Sequence, residues 1–129
     1  MPNWCENKVT VSGDPDETSR FMEYVKGKDI HERNGDIVKN HFCFEKIMPF
    51  PNGTYDYDWC IKNWGTKWSP SNVYLDPTEG DEYLIYKFDT AWGPPTGIYQ
   101  HLDKEFPSLH ISWFYNEEGV EFAGYLNKE

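Results

Sequence analysis

Cys5-Glu6-Asn7-Lys8-Val9-Thr10-Val11-Ser12-Gly13-Asp14-Pro15-Asp16-Glu17 is the stretch that decides the fold. Its first eight residues alternate, with Cys5, Asn7, Val9 and Val11 on one side and Glu6, Lys8, Thr10 and Ser12 on the other. A period of two describes a half-buried strand. Gly13 ends it. Asp14 supplies an N-cap, Pro15 the first helical position, and Asp16 and Glu17 face the positive end of the helix dipole. Phe21, Tyr24 or Met22, and Val25 then recur at helical spacing until Gly27 stops the helix. The chain therefore opens on a strand followed by an amphipathic helix.

Outward from this unit, residues 28–40 are polar, carry Asn34-Gly35, and read as a loop. Residues 42–48 read as a second strand closed by Pro49 and Pro51, and Asn52-Gly53 as a turn. Residues 55–64 read as a short helix with Tyr55, Trp59 and Lys62 on one side. Residues 73–75 and 83–89 read as the strands of a hairpin about a turn at 77–80. Pro94-Pro95 fixes the entry to a further helix, in which Ile98, Leu102 and Phe106 recur every four residues until Pro107. Residues 109–115 and 120–126 flank Asn116-Glu117-Glu118-Gly119 as a second hairpin. The order strand, helix, strand, hairpin, helix, hairpin predicts one domain over residues 1–129. Its class is α+β, a ferredoxin-like sandwich with a mainly antiparallel sheet, two helices on one face and an aromatic-rich insertion. Val9, Val11, Phe21, Val25, Ile98, Leu102, Ile111 and Phe122 are expected in one core.

The 129 residues suffice for a core without staples, and aromatics at 18% supply its volume. The net charge of -10 disfavours phosphate backbones and anionic membranes. It suits a basic partner or mimicry of a polyanion, with Asp76, Glu79, Asp81, Glu82, Glu117, Glu118 and Glu121 projecting from hairpin turns. Glu117, Glu118 and Glu121 are the partner-binding set. Rings on a four-stranded sheet, Tyr83, Tyr86, Trp113 and Tyr115, would serve nucleic acid, but no basic groove accompanies them. Cys5, Cys43 and Cys60 offer neither a disulfide framework nor a zinc pattern, and reduced thiols point to the cytoplasm. Residues 1–25 lack a signal peptide's apolar run, and no stretch is long enough to span a bilayer.

Asn63-Trp64-Gly65-Thr66-Lys67-Trp68, with Trp92 in a similar setting, carries the ligand-binding reading. Rings would hold a flat group, Lys67 would meet an anion, and Asn63 or Thr66 would fix orientation. The alternative is a packed corner between two layers. His31, His41 and Cys43, or His101 and His110, match no zinc spacing, so no metal or cofactor is expected. Thr66, Ser69, His101 and Asp89 are the hydrolytic groups available, without a nucleophile elbow, P-loop or HExxH pattern. Asp89 reads as an acceptor of backbone hydrogen bonds at a strand end.

Residues 1–7, 63–68, 88–95 and 115–124 resemble the YubB-type ferredoxin-like domain family of bacteriophages and conjugative plasmids. Ser69 and Gly93 depart from its pattern, which has an acidic residue and a serine there. The resemblance implies a ferredoxin-like fold without an iron–sulfur cluster, and no catalytic residues transfer. The expected function is a non-catalytic binding protein of a mobile element in a bacterial cytoplasm. It would occupy a host protein or sequester a small anionic molecule, in counter-defence. An enzyme acting on nucleotides or nucleic acid is the second class, and a structural or assembly protein the third.

Overall fold

The computed structural model describes residues 3–76, 83–117, 119 and 122–126. At its centre lies β1 (Trp4–Ser12), the strand that opens the chain. It is flanked in a five-stranded sheet of order β4-β5-β1-β6-β7, with β4 Ser71–Leu75, β5 Tyr83–Ala91, β6 His110–Glu117 and β7 Phe122–Tyr125. Every pairing in that sheet is antiparallel. Helix α1 (Pro15–Val25) connects β1 to β4, and helix α4 (Thr96–Glu105) connects β5 to β6. The two strand–helix–strand units interleave, and β7 extends one edge, so the chain is a ferredoxin-like α+β fold with an added strand.

The alternation in β1 lands as read: Cys5, Asn7, Val9 and Val11 are buried and Glu6 and Lys8 exposed. Asp14 caps α1 by accepting the Asp16 N–H at 3.1 Å. Phe21 and Val25 of α1 and Ile98 and Leu102 of α4 join Val9, Val11 and Ile111 in one core. Phe122 does not. It is 41% exposed and meets Tyr115 at 5.6 Å between ring centroids.

Residues 26–70 form the insertion. They contain a two-stranded ribbon, β2 Ile30–His31 with β3 Ile37–Val38, then the short helices α2 Phe44–Ile47 and α3 Tyr57–Asn63. The strand expected over residues 42–48 is therefore a loop and one helical turn. Apolar residues at 42, 44 and 47 suit a buried strand or a buried helix equally, and here Phe42, Phe44 and Ile47 fill the core while Glu45 and Lys46 are exposed. Phe42 packs on Phe21, Phe44, Tyr86, Phe88 and Trp113. The loop expected over 28–40 gains the small ribbon. The helix expected over 55–64 is α3, capped by Asp56, whose carboxylate accepts the Trp59 N–H at 3.1 Å.

Two of the rings proposed for nucleic acid, Tyr86 and Trp113, are buried on the helix side. Among the described residues the Tyr86 hydroxyl has no hydrogen-bond partner, and burial holds it far above the usual tyrosine range. An unpaired buried hydroxyl destabilises, so Tyr86→Phe is expected to raise stability by about 1 kcal/mol. Urea denaturation checks this; a loss of stability would show a missed partner for the hydroxyl.

Candidate functional site

The stretch 63–68 divides at the end of α3. Trp64 is the C-cap, and Gly65 follows with φ 89°, its N–H donating to the Cys60 carbonyl at 3.1 Å. This left-handed glycine turns the chain, so Trp64 and Trp68 leave the helix end in different directions. Trp64 is 0% exposed, packs on Phe44, Phe50 and Trp59, and donates Nε1–H to the Met48 carbonyl at 2.9 Å. It is a packed corner. Trp68 is 39% exposed and tilts against Trp4 at 6.1 Å.

Lys67 rises between the exposed rings. Its Nζ lies 4.4 Å from the Trp68 ring centroid and 5.2 Å from that of Trp92. Both distances are within cation–π range. The Tyr55 hydroxyl donates to the Lys67 carbonyl at 2.7 Å, which fixes the backbone beneath this side chain. Lys67 and Trp92, with Tyr57, Ile61 and Thr66, line a concavity of about 310 Å³. Asn63 and Thr66 do not serve it as expected. Asn63 donates its amide to the Trp59 carbonyl one helical turn back, and the buried Thr66 hydroxyl donates to the Ala91 carbonyl at 2.8 Å.

That carbonyl belongs to the turn that displays Trp92. Trp92 is 58% exposed and has φ 73°, a conformation that a bulky L-residue rarely adopts. The Gly93 N–H donates back to the Ala91 carbonyl at 2.9 Å, closing a three-residue turn about Trp92. Three bonds brace it from outside: Thr66 on Ala91, the Trp92 N–H on the Asn3 carbonyl at 2.8 Å, and the Thr90 hydroxyl on the Gly93 carbonyl at 2.6 Å. Strain of about 1–3 kcal/mol persists only when surroundings over-determine it, and such strain gathers at functional positions.

The brace reaches into the core through Asn7. Its amide donates to the Thr90 hydroxyl at 2.9 Å, and its carbonyl oxygen accepts Trp113 Nε1–H, also at 2.9 Å. Its place in the apolar face of β1 was the one signal: a buried amide needs partners, and here they lead to the turn.

Of the acidic partner set, Glu117 alone lies among the described residues. Glu117 is 1% exposed rather than projecting, because it falls on the inward phase of β6; its Oε1 accepts the Gly119 N–H at 2.6 Å. Glu118 and Glu121 lie outside the described residues, as do Glu79, Asp81 and Glu82. Three of the hydrolytic groups are engaged separately: Thr66 donates to Ala91, Asp89 accepts from Asn72, and His101 Nε2 meets the Tyr24 hydroxyl at 2.8 Å. Among the described residues no three His, Cys, Asp or Glu side chains gather to hold a metal ion. No helix among them is long and apolar enough to cross a membrane.

Beside the Asn7–Thr90 brace, burial pushes the Cys5 thiol up to about 11, with smaller upward pushes from Glu117 and Asp89, partly offset by hydrogen bonding to Thr90. A raised folded-state value means stability fully present below the ordinary thiol value of 9.0 and lost as pH climbs towards 11. Buried Cys60 is shifted in the same direction, also by burial. The melting temperature is therefore expected to fall between pH 9 and pH 11. A flat profile over that window would contradict the buried thiols.

Residues 63–128 match the sequence profile of a family described as the ferredoxin-like domain in Api92-like protein. Among curated proteins, the cell wall mannoprotein PIR1 of Candida albicans is 37% identical over 65 residues. The alignment takes in 50% of this chain and 17% of that protein. No solved structure matches the chain.

Proposed function

We propose, for a chain that belongs to the family of ferredoxin-like domains in Api92-like proteins, that it is a non-catalytic binding module. Its contact surface is the exposed aromatic patch of Trp4, Trp68 and Trp92 around Lys67. The observation that carries this reading is Trp92, a large ring displayed to solvent on a strained turn that three separate hydrogen bonds hold in place. Exposed tryptophans and tyrosines grouped around one cation have the composition of a protein-binding hot spot. The occupant is a protein presenting an apolar surface and a carboxylate that meets the Lys67 ammonium. The resemblance to the YubB-type family supports a bacteriophage or plasmid setting, in which that protein belongs to the bacterial host and binding occurs in its cytoplasm. The concavity of about 310 Å³ beside Lys67 supports a second reading, the capture of a small anionic molecule.

The test is quantitative affinity capture from bacterial lysate with the wild type, Lys67→Glu and Trp92→Gly, followed by mass spectrometry of retained proteins and small molecules. The expected result is a partner retained by the wild type and lost from both variants. Retention that is the same for all three proteins would remove the patch from the interface.

A further inference from the structure

The face of the sheet turned away from the helices carries an arrangement that stability does not explain. Cross-strand register places Tyr74 beside Lys87, Lys87 beside Lys8, and Lys8 beside Phe114, in one row across β4, β5, β1 and β6. The next row on the same face opposes Glu6 to Asp89. Like charges directly opposite one another destabilise a sheet, and exchanging Lys8 with Glu6 would turn both repulsive pairs into attractive ones. Among the described residues none of these four groups forms an ion pair. The charges are segregated instead into a cationic row and an acceptor row, two residues or about 7 Å apart along the strands. Glu6, Lys8, Lys87, Asp89 and Phe114 line a concavity of about 460 Å³, within the range of small-molecule sites.

We propose that this open face is a second site, whose concavity shares no lining residue with the one beside Lys67, and that it takes a nucleoside phosphate. Lys8 and Lys87 together meet the phosphate, Phe114 or Tyr74 offers a ring face to the base, and Glu6 and Asp89 accept from sugar hydroxyls or an exocyclic amine. An extended nucleic acid fits less well. Its next phosphates would run onto Glu6 and Asp89, and the whole chain carries -10.

Isothermal titration with AMP, adenosine, inorganic phosphate and an oligothymidylate tests this on the full chain. AMP is expected to bind saturably, with adenosine and phosphate each weaker by about tenfold or more. Lys8→Gln/Lys87→Gln is expected to reduce AMP to the level of adenosine without lowering the melting temperature, since a repulsive pair is removed; Lys87→Gln alone gives an intermediate loss. Both variants keep Lys67, so a loss of AMP binding in them is assigned to this face and not to the tryptophan surface. No saturable AMP binding, or binding indifferent to both lysine variants, would overturn the proposal. Tighter binding of the oligonucleotide than of AMP would overturn it in favour of a nucleic-acid track.

Discussion

Trp64→Ala is expected to lower the stability of the domain by about 3–5 kcal/mol, the range for truncating a buried large aromatic. The indole is fully buried among Phe44, Phe50 and Trp59, so its removal leaves a cavity that three further rings cannot all collapse into. It also strands the Met48 carbonyl, which loses its partner at 2.9 Å. Trp68→Ala is the internal control, because that ring is partly solvated and touches the core little; its loss should stay within about 1 kcal/mol. Chemical denaturation of the pair reads the difference. Equal losses would mean that the corner at the end of α3 is misassigned.

Gly97→Ala is expected to be damaging where an alanine in a helix normally helps. In an open helical position the change gains about 1 kcal/mol. At Gly97 an added Cβ would lie 1.7 Å from the Asn63 carbonyl oxygen and 2.7 Å from its carbon, both backbone atoms. The end of α3 and the start of α4 meet there without room for a methyl group, joined by the Gly97 N–H donating to the Trp64 carbonyl at 3.0 Å. Relief requires the helices to part and that bond to break, a loss of about 3 kcal/mol or more. Gly93→Ala, where a Cβ would meet nothing within 4 Å, should show no comparable loss. A Gly97→Ala domain as stable as wild type would show that α3 and α4 do not touch as described.

Most of the sandwich was legible because its elements carry clean local signals. In β1 the period of two survives intact, in α1 the cap and proline mark the start, and in α4 the spacing of Ile98, Leu102 and Phe106 marks the buried face. The errors fall where tertiary packing overrides local pattern. Phe42, Phe44 and Ile47 are apolar at close spacing whether extended or helical, and only the rings of Tyr86, Phe88 and Trp64 beneath them decide for the helix. Glu117 looks like a turn residue by its neighbours, but β6 runs on to include it and its phase points inward. The six-residue tryptophan stretch posed a choice between corner and platform that sequence left open. The structure divides it, with Trp64 in the core and Lys67 and Trp68 outside, because Gly65 reverses the chain between them. Thr66 and Asn7 were readable as polar, but their partners lie 25 and 83 residues away, where no local pattern reaches.

The claim that Trp92 is held out for contact, and not for stability, is tested most directly by the unfolding free energy of Trp92→Gly. Glycine adopts φ 73° without penalty, and the indole it replaces is 58% exposed. Release of strain opposes loss of the Lys67 cation–π contact and the greater freedom of the unfolded chain. The expected result is a domain as stable as wild type or up to about 1 kcal/mol more stable. A loss of several kcal/mol would contradict the claim, for it would make Trp92 part of what holds the fold together.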